Sequence, residues 1–369
     1  MISTILITVL AVMAINAALA IFLVIAEHFF ANYGECTITI NNEKTLKVQG
    51  GRSLLASLGE NQIYLPSACG GRGTCAYCKC KVTEGAGQLL PTELPLLTEN
   101  ERETSTRLSC QVKVKQDLKI QIPDELFRIK KFQAVVEKIL TLTYDIKHVR
   151  LKLLDPTEIT FTAGQYVQLN TNPYNGVKES VSRAYSIASP VTAKDYVDLM
   201  IRLVPEGICT TWVHQYLKEG DRVSLVGPMG DFGLRPGDGE MILVAGGSGM
   251  APMVSLLEDM KRNGEKREIT YFFGAVSLKD LFYVEEMKAF EKEIAGFSFV
   301  PALSKQDPND NWTGATGLIT EPLADHLKKI DAKSAQGYLC GSPGMINACI
   351  KVMTSNGIPM EQIYYDPFG

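Results

Sequence analysis

Four of the nine cysteines in this 369-residue chain, Cys69, Cys75, Cys78 and Cys80, fall within twelve residues of one another. Three are spaced Cys-x5-Cys-x2-Cys, and Cys110 follows across 31 intervening residues on a segment that alternates like a strand. Three thiolates from one loop and a fourth from elsewhere form the ligand set of a 2Fe–2S cluster. The loop reads Cys69-Gly-Gly-Arg-Gly-Thr-Cys-Ala-Tyr-Cys78. Its glycines permit positive φ and let backbone N–H groups approach an anionic sulfur cage. A zinc site would ordinarily use two Cys-x2–4-Cys pairs, and Cys110 has no such neighbour. A disulfide would need an oxidising compartment. Both remain alternatives to the favoured cluster, whose metal ligands are Cys69, Cys75, Cys78 and Cys110. Cys80 alternates away from Cys78 and is assigned to packing.

The length allows two to three domains. With 46% hydrophobic and 21% charged residues and a mean hydropathy of +0.03, the chain is neither disordered nor polytopic. A net charge of −4, from 37 basic and 41 acidic side chains, gives no basic balance for nucleic acid. Met1 to Ala26 carries no charged side chain. As a helix it would reach about 39 Å, against about 30 Å for a hydrocarbon core. A cleaved signal peptide is the alternative. No Lys or Arg precedes the apolar run, however, and the small-residue site Ala18-Leu19-Ala20 is followed by further apolar sequence. Residues 1–26 are therefore expected to be a single-pass transmembrane helix, with 27–34 as a linker. With no ionisable group inside, the helix anchors and does not carry ions.

Three folded regions are expected to follow. Over 35–124, a hairpin (Cys36–Ile40, Asn41-Asn42, Thr45–Val48), a helix capped by Ser53 and alternating runs at Cys78–Val82 and Leu108–Val114 indicate an α+β domain. Over 130–235, short β-like runs at 134–140, 148–154, 166–169, 199–204 and 222–226 indicate an antiparallel barrel. Over 237–369, buried strands such as Met241–Ala245 alternate with helices, the pattern of a parallel α/β sheet.

Phe161-Thr-Ala-Gly-Gln-Tyr-Val167 and Arg183-Ala-Tyr-Ser186 resemble the flavin-barrel motifs of the ferredoxin–NADP reductase superfamily. On a strand, Arg183 and Tyr185 share one face. The resemblance implies that Arg183 meets a flavin phosphate, Tyr185 lies on the isoalloxazine and Ser186 offers its hydroxyl to N5. Gly207-Ile-Cys209-Thr210-Thr211 opens a helical stretch at 212–217, where a pyrophosphate is favoured. Gly246-Gly247-Ser-Gly249-Met-Ala-Pro252 is similar to the same superfamily's nicotinamide loop. The run Tyr338-Leu-Cys340-Gly341-Ser-Pro-Gly344 resembles its late Cys-Gly motif, which implies a Cys340 thiol near the nicotinamide C4. Phe368, in the ending Tyr365–Gly369, resembles the aromatic that covers the flavin; simple C-terminal packing is the plainer reading. Buried packing suits Cys36, Cys209 and Cys349. The acids Asp280, Glu285 and Glu286 beside Lys279 favour NADH over NADPH.

Taken with the x5 spacing, which departs from the plant-type x4, the order anchor, ferredoxin-type domain, flavin barrel and nicotinamide domain resembles the family of F subunits of sodium-translocating NADH:quinone reductase. The resemblance implies FAD, a 2Fe–2S cluster and NADH as cofactors. It implies hydride transfer from NADH to FAD, then single electrons to the cluster and on to a membrane acceptor leading to ubiquinone. It further implies polytopic integral membrane subunits as partners, and an inner-membrane location with the soluble domains on the cytoplasmic side. The barrel reads as shorter than in that family, consistent with a divergent branch. A reductase component of an oxygenase, or a non-catalytic redox sensor, uses similar modules. A sensor would have no use for the hydride pocket of Arg183, Tyr185, Ser186 and Cys340.

Overall fold

The computed structural model describes residues 2–30, 33–307 and 309–368, without the side chains of residues 2–6, 8, 23–30 and 125. The chain divides into two compact units, Met1–Ile129 and Lys130–Gly369.

The first unit opens with helix α1 (Ile2–Phe30). Its described side chains are Ile7 and those of 9–22. Among the described residues no helix is long and apolar enough to cross a membrane. The expected spanning anchor over 1–26 is therefore not met there, because its other side chains, and those of 27–32 in the linker, lie outside the described residues. Strands β1 (Glu35–Ile40) and β2 (Lys44–Gln49) form the expected antiparallel hairpin, registered Cys36↔Val48 to Ile40↔Lys44. Asn41 and Asn42 both take positive φ, 53° and 61°, as a tight hairpin turn requires. Helix α2 (Leu54–Glu60) starts at Ser53, whose Oγ accepts the Ala56 N–H at 3.2 Å.

After β3 (Lys79–Glu84) and α3 (Glu99–Glu103) come β4 (Thr106–Leu108) and β5 (Leu118–Gln121). The sheet order is β2-β1-β5-β3-β4, with β1 and β5 parallel. Ile38, Ile40, Leu54, Leu58, Leu118 and Ile120 fill its core. The run expected as one strand over 108–114 instead turns after Leu108: Gln111 N–H donates to the Leu108 carbonyl at 2.8 Å. Cys110 therefore sits on a turn and not within a strand.

The second unit begins with β6 (Lys130–Thr141), β7 (Ile146–Asp155), β8 (Tyr166–Asn170), β9 (Ser182–Ser186) and β10 (Tyr196–Arg202). Helix α4 (Ile208–Gln215) and β11 (Arg222–Met229) follow. These strands pair antiparallel in the order β10-β7-β6-β11-β8-β9, and a bridge from Ile187 to Leu199 brings the two ends together as a barrel. Helix α4 begins four residues before the expected helical stretch.

The parallel sheet comprises β12 (Met241–Gly246), β13 (Ile269–Ala275), β14 (Phe297–Leu303), β15 (Ala315–Thr316), β16 (Gln336–Gly341) and β17 (Ile363–Pro367). Between these strands lie α5 (Met250–Asn263), α6 (Val284–Glu293), α7 (Thr320–Leu327) and α8 (Pro343–Ser355). The order β15-β14-β13-β12-β16-β17 reverses direction at β12. Ligand crevices of open α/β sheets lie at such a switch point, beyond the strands' C-terminal ends. Here that point falls between the ends of β12 and β16. Barrel residues such as Phe132 and Leu225 share one buried cluster with sheet residues such as Leu243 and Tyr271.

Candidate functional site

The cysteine loop is shaped by positive φ at Gly70, Gly71, Gly73 and Ala76 (66°, 84°, 75° and 60°). The Ser67 hydroxyl accepts the Gly71 N–H at 2.8 Å, which tightens the turn. A Cβ at Gly73 would run into the Gln111 side chain. The four expected ligands fall into two pairs. Cys75 Sγ lies 3.4 Å from Cys69 Sγ, and Cys78 is hydrogen-bonded to Cys110. Burial alone would raise the Cys69 thiol, but hydrogen bonds from Thr74 and Cys75 outweigh it and bring it down to about 6. The bond with Cys78, followed by one from Gln111, brings Cys110 down to about 7 against its burial. Cys80 packs in the core instead, and burial pushes it up to about 12.

Two pairs of thiols, each with one member poised to ionise, suit two tetrahedral irons. Among the described residues no three His, Cys, Asp or Glu groups gather as around one metal ion. A single zinc would draw four sulfurs to about 2.3 Å from one centre, so the donor arrangement fits the cluster better than zinc.

In the barrel, β9 carries Arg183 and Tyr185 on one face, with buried Ser186 next in sequence. The Tyr185 hydroxyl is held above its usual range first by burial, and it donates a hydrogen bond to Cys209 at the start of α4. Arg183 also acts electrostatically on both groups. Arg183, Tyr185 and Cys209 are thus brought together. Thr210 faces inward: its Oγ1 accepts the Val204 N–H at 3.1 Å and packs where a Cβ on Gly207 would fall. Thr211 stays partly exposed, and its N–H donates to the Gly207 carbonyl at 2.8 Å. Tyr174 carries no sequence signal; its hydroxyl donates to the Ile208 carbonyl at 2.6 Å, and its ring lies 4.8 Å from that of Tyr216.

At the switch point, Gly246, Gly247 and Gly249 lead from β12 into α5, whose first turn contains Pro252. A Cβ at Gly249 would overlap the Cys340 carbonyl, which explains glycine there. Cys340 is fully buried, so its thiol is held well above the ordinary range. Its Sγ donates to the Asp366 carbonyl at 3.3 Å, and Phe368 N–H donates to the Gly341 carbonyl at 2.8 Å. The C-terminal strand therefore lies along β16 and closes over Cys340.

At the end of β13, Asp280 accepts from the Ser277 N–H and hydroxyl (2.8 and 2.6 Å) and from the Tyr144 hydroxyl (2.9 Å). Burial would raise its carboxyl, but these bonds hold it below the usual range. Lys279 Nζ lies 5.0 Å from the Tyr144 ring centre. Arg202, paired with Asp145 at 2.7 Å, reaches from the barrel to within 3.5 Å of where a Cβ on Gly247 would stand. Tyr144 and Arg202 carry no sequence motif, because each acts across more than fifty positions.

The fold and its sites define an iron–sulfur flavoprotein reductase with a nicotinamide module. Family models agree: a 2Fe-2S iron-sulfur cluster binding domain matches residues 38–115, an oxidoreductase FAD-binding domain 133–233 and an oxidoreductase NAD-binding domain 243–351. The F subunit of Na(+)-translocating NADH-quinone reductase from Pseudomonas aeruginosa is 38% identical, with 96% of each chain covered. Those of Marinomonas sp. and Neisseria gonorrhoeae are 37% and 35% identical, covering 96% and 95% of this chain and 96% of each relative. The chain belongs to the family of F subunits of Na(+)-translocating NADH-quinone reductase. Its cofactors are a 2Fe–2S cluster, FAD and NADH. Among solved structures, an Amycolatopsis cytochrome P450 reductase aligns with a TM-score of 0.73 at 27% identity, over 90% of this chain and 98% of that one. The ferredoxin reductase in carbazole 1,9a-dioxygenase aligns with a TM-score of 0.70 at 26% identity, over 91% and 98%.

Proposed function

We propose that this chain is the electron-input subunit of a membrane NADH:quinone reductase. The observation that carries the reading is the presence, in one chain, of a paired-cysteine site and a glycine-lined crevice closed over Cys340, with 96% of that chain matched by an F-subunit relative. When bound, FAD supplies the conversion of a two-electron hydride donor into single-electron steps. The chain's own residues bind and orient. Arg183 offers a cation to a flavin phosphate, Tyr185 a ring face and Ser186 a hydroxyl. Gly207, Cys209, Thr210 and Thr211 form the turn beside them, with Thr210 bracing the turn from inside. Gly246, Gly247, Gly249 and Pro252 shape the loop for the nicotinamide dinucleotide, with Cys340 and Gly341 opposite. Phe368, tied by its N–H to the Gly341 carbonyl, would cover the flavin until the nicotinamide displaces it. Cys69, Cys75, Cys78 and Cys110 would hold the cluster. We assign 35–124 to the cluster domain, 130–235 to the flavin barrel and 237–369 to the nicotinamide domain.

We also assign α1 to membrane attachment. Ile7, Leu10, Met13, Ile15, Ile21 and Phe22 are each more than half exposed, an apolar surface that water disfavours. Polytopic membrane subunits are the partners that sodium translocation, named for the relatives, would require. The soluble domains would then lie on the cytoplasmic side of the inner membrane, where NADH is found. The likeness to oxygenase reductases supports a second reading, a reductase component, but at lower identity. Purification from detergent-solubilised membranes separates the two. Co-elution of polytopic subunits with NADH:quinone activity is expected; a soluble oxygenase as the sole companion would overturn the assignment.

A further inference from the structure

Glu93 is wholly buried and Arg107 nearly so, with side-chain exposures of 0% and 6%. Arg107 Nε lies 3.0 and 3.1 Å from the two Glu93 oxygens, and Nη2 lies 2.6 Å from Oε2. Arg107 also donates to the carbonyls of Ala86, Gly87 and Gln88 at 3.1–3.2 Å. Glu93 in turn accepts the Leu90 and Leu108 N–H groups at 3.0 and 2.9 Å. A buried ion pair is tolerated only when its hydrogen bonds are satisfied in this way, and it often stabilises no more than an apolar pair would. Stability alone gives little reason for its presence here.

Its location is more informative. Arg107 is the cross-strand partner of Cys80. Leu108, gripped by Glu93, is the residue where β4 ends. Ser109 N–H then donates to the Cys78 carbonyl at 2.9 Å, and the turn carries Cys110 back to Cys78. We propose that Glu93 and Arg107 are positioning residues for the half-site formed by Cys78 and Cys110, and that their opposed charges set the electrostatic potential there. This rests on the reading of those cysteines as cluster ligands. Reduction of a cluster adds one negative charge. A buried cation nearby favours that charge and a buried anion opposes it, both amplified where water is excluded. With both present, the two influences largely offset each other.

The test uses the full-length chain with its cluster assembled. Iron and acid-labile sulfide are measured first, and their absence from the wild type would refute the cluster reading itself. Potentiometric titration followed by EPR then examines the pair. Glu93→Gln should shift the reduced-to-oxidised ratio at fixed potential about tenfold toward reduced, equivalent to about 59 mV. Arg107→Gln should shift it about as far the other way, and the double variant should return close to wild type. Lowered thermal stability would follow from a mere clamp as well; opposite signs would not. Shifts of the same sign, or none in iron-replete protein, overturn the proposal. Where a single variant does not retain iron, Arg107→Lys decides, because it keeps the charge and loses the fork. A wild-type ratio with a lower unfolding temperature supports the proposal, and a tenfold shift sinks it.

Discussion

The cluster loop and the nicotinamide crevice both depend on cysteine, and they treat it in opposite ways. Around the loop each pair joins one lowered thiol to one raised thiol. Cys69 and Cys110, partly exposed, are lowered to about 6 and about 7 by hydrogen bonds to sulfur, while burial raises Cys75 and the bond with Cys110 raises Cys78. In the crevice, Cys340 is sealed under the C-terminal strand and raised by burial. A metal ligand must be a thiolate, and accessible thiols with stabilised charge become thiolates. A thiol meant only to pack against a ring works better neutral. Pairing, more than ionisation alone, separates ligand from wall. Cys75 and Cys78 are raised too, but each faces a lowered thiol, Cys69 or Cys110, whereas Cys80, pushed up to about 12 by burial, packs in the core.

The most severe way to break the comparison is Cys75→Ala. It removes half of the Cys69 pair and should abolish the cluster: no stoichiometric iron or sulfide, and no EPR signal after reduction. Cys80→Ala should keep both, since Cys80 lies in the core. Stoichiometric zinc without sulfide in the wild type would undo the contrast. Next comes the segment outside both regions. Residues 34–369 alone should keep FAD and cluster and reduce ferricyanide with NADH. Added at matched concentration to membranes lacking the chain, they should restore less than about a tenth of NADH:quinone turnover, because tethering supplies effective concentration. Full recovery would make α1 dispensable.

Cys340→Ala sharpens the comparison from the other side. Both cofactors should remain, while single-turnover flavin reduction by NADH slows by about tenfold, since small misplacements of reacting atoms are costly. An unchanged rate would return Cys340 to plain packing. Alkylation provides a second readout. A thiol whose ionisation is raised stays protonated from about pH 7 to 9, so Cys340 and Cys349 should resist iodoacetamide in the native chain and react once it is unfolded.

The two regions are also unequally legible in the sequence. The cysteine loop announces itself because its ligands are close along the chain and its glycines are dictated by backbone geometry. The Asn41-Asn42 hairpin is legible for the same local reason. The crevice is legible only in pieces, as a glycine turn and a Cys-Gly step, because the strand order that joins β12 to β16 is set by tertiary packing. The Glu93–Arg107 pair leaves no motif: two ordinary surface residue types become buried through three carbonyls of an irregular loop. Thr210 lies in the turn where the sequence favours a pyrophosphate, and no local pattern tells that its hydroxyl accepts the Val204 N–H. Alternation carries the 108–114 run on as a strand, whereas the Cys78–Cys110 pairing needs the turn.

The smallest expected effect concerns the choice of dinucleotide. Asp280 is fixed by Ser277 and Tyr144 at the end of β13, close to where the adenosine of a dinucleotide bound at the switch point would lie. Its carboxyl is held below the usual range, so it stays charged throughout neutral pH. A fixed negative charge there repels a 2′-phosphate and leaves a 2′-hydroxyl unaffected. At a solvated site one such charge is worth about 1 kcal/mol at 4 Å, roughly fivefold. Asp280→Asn should therefore narrow the NADH-over-NADPH preference in kcat/KM by roughly fivefold, mainly through a lower KM for NADPH. Tyr144→Phe removes a hydrogen bond and leaves the charge, so the preference should hold. The two variants separate charge from loop order. If Tyr144→Phe relaxed the preference as much as Asp280→Asn, the loop's shape would be the discriminator. The pH dependence makes the same distinction: with Asp280 ionised well below neutrality, the wild-type preference should change between about pH 6 and 8 only as the 2′-phosphate itself titrates.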